Sequence, residues 1–84
     1  MTAKRLVDCI GRRLRQIDPN RWETVPITFQ TKFLDQLGRV DFRTIINIHD
    51  AIEQEFGIEI KDKAALVIDM ESAFAIVNHH HDAL

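Results

Sequence analysis

The chain has one cysteine, Cys9, and one serine, Ser72, in 84 residues. A single thiol excludes an internal disulfide, so the fold must rest on packing and hydrogen bonds, and a reducing compartment is the easier setting. Cys9 sits among Leu6, Val7 and Ile10, which reads as a half-buried apolar filler rather than a reactive thiol. No apolar run approaches the roughly 18 residues of a membrane span, so a soluble chain without direct membrane insertion is expected. There is no glycine-rich phosphate loop, and no Ser/His/Asp or Cys/His set with an orienting partner, so the chain does not read as an enzyme. At this length it is one domain, residues 1–84, near the lower end of what a hydrophobic core supports without staples. Its stability can therefore lean on a partner.

The net charge of −2 conceals an asymmetry. Residues 1–22 hold Lys4, Arg5, Arg12, Arg13, Arg15 and Arg21 against Asp8 and Asp18, whereas residues 35–62 hold seven acids against Arg39, Arg43 and Lys61. A basic first segment is thus joined to an acidic middle. A nucleic-acid surface would need aromatic or base-reading side chains beside the cations, and the basic segment offers only Trp22, so no nucleic-acid partner is expected.

Leu6, Ile10, Leu14 and Ile17 recur at helical spacing, with Thr2 able to cap the start and Pro19 just past the end. Gly11 inside this helix costs roughly 1 kcal/mol relative to alanine, so tertiary contacts must hold it. Residues 18–33 lack periodicity and read as a long connection pinned by Trp22, Ile27, Phe29 and Phe33. From Asp41 to Phe56 the series Ile45, Ile48, Ile52, Phe56, flanked by Phe42 and Ile46, predicts a second helix, with Asp41 at its N-cap and Gly57 at its C′ position. Ile58-Glu59-Ile60 reads as an extended link, Lys63 to Ile68 as a short turn of helix, and Asp69 as the cap of a last helix with Met70, Ala73, Phe74, Ile76 and Val77 on its apolar stripe. The expected architecture is all-α, an antiparallel bundle of three main helices plus one short helix with a long first loop. Leu14, Ile45, Ile52, Phe56 and Phe74 are its expected core.

His79-His80-His81 invites a metal reading, but consecutive residues on a helix point roughly 100° apart and cannot converge on one ion. The tract reads as a frayed polar helix end. His49, among apolar neighbours, reads as a satisfied helix-face histidine.

The stretch from Phe33 to Ile60 contains the turn Phe33-Leu34-Asp35-Gln36-Leu37-Gly38 and the helix end Ala51-Ile52-Glu53-Gln54-Glu55-Phe56. Together these resemble the F-x-x-D-L-G turn and A-x-E-x-E-F element of the acyl carrier protein family, and Gln16-Ile17-Asp18-Pro19 is similar to an I-D-P element of its mitochondrial members. The likeness extends over residues 4–78. It implies the acyl-carrier-protein-like bundle, in which an Asp-Ser-Leu triplet opens the second main helix and carries 4′-phosphopantetheine on the serine. Counting back from Ala51, the serine slot falls on Phe42, with Asp41 in the aspartate slot; counting forward from Leu37-Gly38 it falls on Asp41. The cap assignment favours Phe42. Neither residue has a hydroxyl, and Thr44 is the nearest one.

The resemblance therefore implies a degenerate member without prosthetic group or other cofactor, acting as a non-catalytic binding or scaffold subunit of a larger complex. Family members serve in respiratory complex I and assembly factors bound to LYR-motif three-helix proteins. By that likeness the partner is a protein subunit and the compartment the mitochondrial matrix. The partner surface is expected at the start of the second main helix: Arg39, Val40, Asp41, Phe42 and Arg43, continued by Ile46 and Asp50. Arg43 and Asn47 dilute the acidic face that the family presents there, while Asp50 and Glu53 keep part of it, and Lys61 stands where many members have proline. The alternatives are a carrier in fatty-acid or polyketide synthesis with phosphopantetheine at an unusual attachment site, and a bacterial stand-alone docking homologue in the cytoplasm.

Overall fold

Apolar residues one turn apart commit three segments to amphipathic helices, and the computed structural model, which describes residues 3–35, 37–39, 41–61 and 67–82, places them at α1 (Ala3–Ile17), α3 (Phe42–Phe56) and α4 (Met70–Asp82). A fourth helix, α2 (Pro19–Trp22), is short. The described chain is mostly helical, which establishes the all-α class; an isolated antiparallel bridge joins Lys32 to Asp69.

The structure alters the reading of Pro19. Instead of lying in loop beyond the first helix it opens α2, with Asp18 as N-cap accepting from the Arg21 N–H at 3.3 Å. Proline suits that first position because its missing N–H would have no helical partner there. The connection expected over residues 18–33 is thus part helix. The turn expected over Lys63 to Ile68 falls largely on residues 62–66, and the Thr2 cap likewise lies outside the described residues.

α1 and α3 pack antiparallel: Arg5 meets Glu55, Cys9 meets Ala51 and Arg13 meets Asn47 and Asp50, so position climbs on one helix as it falls on the other. Leu6, Ile10 and Leu14 bury one stripe of α1, and Ile45, Ile48 and Ile52 one stripe of α3. Met70, Ala73 and Val77 contribute the buried side of α4, and Trp22, Phe33, Ile60 and Val67 close the core from the connections. Ile27 and Phe29 are partly buried against it, so the four expected loop anchors all pack.

Two of the expected core residues sit at its margin. Phe56 is half-buried at the C-terminal end of α3, where the Arg5 guanidinium lies 4.6 Å from its ring centroid. Phe74 is half-buried and meets Phe29 edge-on at 5.6 Å. Both are still covered, but by a cation and an aromatic edge rather than by the aliphatic centre.

The long connection is stitched at several points. Arg15 Nε donates to the Trp22 carbonyl at 3.3 Å, Arg21 donates to the Leu34 carbonyl, and the Phe33 N–H and Met70 N–H exchange bonds with Ile68 and Thr31 across the bridge. This bridge fixes the start of α4 against the chain that leads into the 35–39 turn.

Candidate functional site

The segment leading into α3 is built from two carboxylates that organise backbone. Asp35 Oδ1 accepts the N–H groups of Leu37 and Arg39 at 2.9 and 2.8 Å, while Oδ2 takes Arg39 Nε at 3.0 Å. Gly38, at φ 75°, supplies the left-handed residue that this tight loop needs. The Arg39 N–H, first among its causes, holds the Asp35 carboxyl below its ordinary range. The loop thereby carries Leu37 at its tip, 74% exposed.

Asp41 is the N-cap of α3, its Oδ1 accepting from the N–H groups of Arg43 and Thr44 at 3.1 and 3.4 Å. Phe42 is therefore the first helical residue, the position that follows the capping aspartate. Thr44, the nearest hydroxyl, is buried and donates to Asp41 Oδ2 at 3.0 Å. The cap thus uses both the carboxylate and the hydroxyl. Ser72 is also engaged, its hydroxyl and its N–H both donating to Asp69 Oδ1 at the start of α4.

Phe42 is 65% exposed and Ile46, one turn further on the same face, 62% exposed. The series that predicts the helix treats them as flanks of one broad apolar face; the structure separates them, because Ile45, Ile48 and Ile52 take the side toward α1. Below Ile46 a hollow of about 390 Å³ is lined by Ile46, His49, Asp50 and Glu53, mostly with apolar surface. His49 is buried there. Among the expected partner residues, Arg39, Asp41, Phe42, Arg43, Ile46 and Asp50 run along this end and face of α3, and Val40 lies outside the described residues. Leu37 and the hollow beside His49 and Glu53 escaped the sequence reading. The spacing of Phe42, Ile46, His49, Asp50 and Glu53 was the available signal, a second helical face beside the core stripe.

Charge on α3 is largely committed within the molecule. Arg13 Nη1 lies 2.7 Å from Asp50 Oδ2, Arg5 Nε 3.2 Å from Glu55 Oε1, and Arg12 approaches Glu55 at 3.9 Å. Glu53 Oε2 accepts the Ile60 N–H at 3.1 Å, holding the extended link against the helix. The basic first helix and acidic middle are therefore two sides of one interface.

Among the described residues no group of His, Cys, Asp and Glu is arranged to hold a metal ion, and no helix is long and apolar enough to cross a membrane. α4 continues through His79, His80 and His81, where a frayed end was expected; the side chains of the last two lie outside the described set. No family model matches this chain, and no curated protein is significantly similar to it.

Proposed function

We propose that this chain is a non-catalytic binding or scaffold subunit with an acyl-carrier-protein-like bundle, lacking the prosthetic group and offering the start of α3 to a protein partner. The observation that carries the reading is Phe42: an aromatic ring, 65% exposed, at the first position of a fully capped helix. A solvated phenylalanine and isoleucine one turn apart are the kind of apolar anchor that protein interfaces bury. By the resemblance, the larger complex is mitochondrial, with respiratory complex I and a LYR-motif three-helix protein as the models for assembly and partner. The carrier alternative needs an accessible hydroxyl at this helix end, and Thr44 is buried and already donating.

Intact mass of the protein purified from its source tests the absence of phosphopantetheine; an adduct on Thr44 or Ser72 would overturn the reading. Phe42→Ser tests the surface. It should weaken partner association by about 1–3 kcal/mol while leaving the isolated fold nearly as stable. Unchanged association, or a large fall in the melting temperature of the isolated variant, would assign Phe42 another role.

A further inference from the structure

We draw no further inference here: the strongest candidate, the exposed face of α3 that carries Phe42 and Ile46 beside the hollow lined by His49, Asp50 and Glu53, belongs to the surface already described, and nothing in the structure shows what covers it.

Discussion

The Cys9 thiol lies between α1 and α3, buried, with Sγ 3.7 Å from the Ala51 carbonyl oxygen. Burial, aided by the Glu55 carboxylate, pushes its pKa up to about 11 against the nearby arginines. The thiolate is the nucleophile, so alkylation of the native protein should be far slower than that of the unfolded chain at the same pH. The sign for stability follows from which state ionises first. The unfolded thiol, with its ordinary value of 9.0, loses its proton before the folded one, so the contribution is intact below pH 9 and is lost as pH rises toward 11. A Cys9→Ala variant should show a shallower alkaline decline in melting temperature. Two further residues separate centre from margin: Ile52→Ala should cost about 2–5 kcal/mol, whereas Phe56→Ala should cost roughly 1–2 kcal/mol, because part of its ring already meets water and the Arg5 cation. Urea unfolding of both variants measures the difference, and equal losses would place Phe56 in the core.

At the scale of elements, helix ends account for much of the specificity. α3 begins on Asp41 and ends on Gly57 at φ 65°, whose N–H donates to the Glu53 carbonyl. Arg5 Nη2 adds a bond to the Glu55 carbonyl at 2.7 Å, so a cation from α1 finishes the negative end of α3. α1 carries the one evident weakness, Gly11 in mid-helix. A Cβ placed there would meet Ile27 Cδ1 at 3.5 Å, ordinary van der Waals contact rather than a clash. Gly11→Ala should therefore stabilise the protein by about 0.5–1 kcal/mol through helix propensity. A loss on urea unfolding would mean that helix propensity does not decide the stability at this position.

For the whole molecule, two carboxylates that organise local backbone contribute to the acid limit. Asp69, chiefly through the Ser72 hydroxyl, and Asp35, chiefly through the Arg39 N–H, are held below the ordinary value of 3.8. Their folded forms bind protons more weakly than the unfolded chain does. The stability they contribute is present above pH 3.8 and is lost as pH falls through their lower folded values. Melting temperature should accordingly decline below about pH 4, and Asp69→Ala should be less stable at neutral pH but show a shallower acid decline. A parallel decline in the variant would assign the acid limit to other groups.

The number and placement of the main helices were legible in the sequence, because a stripe of apolar residues at helical spacing must find a core and capping residues fix where it stops. Asp41, Gly57 and Asp69 were readable for that reason: each satisfies a local backbone requirement that depends on a few neighbouring residues. Pro19 does lie just past α1, as read, but its second role as the opening residue of α2 was missed, because proline suits both a helix boundary and a helix start and the Asp18 cap and the burial of Trp22 are what add the second. Which of several apolar residues on α3 face the core is a question about its neighbours. The sequence shows Phe42, Ile45, Ile46 and Ile48 as one broad apolar face; the position of α1 against Ile45, Ile48 and Ile52 leaves Phe42 and Ile46 in water. The charge asymmetry has the same origin, for composition records the basic and acidic segments but only antiparallel packing brings Arg5 and Arg13 onto Glu55 and Asp50. Local propensity acts over a few residues and is written in order along the chain, whereas exposure and ion pairing depend on residues distant in sequence, which only the tertiary structure brings together.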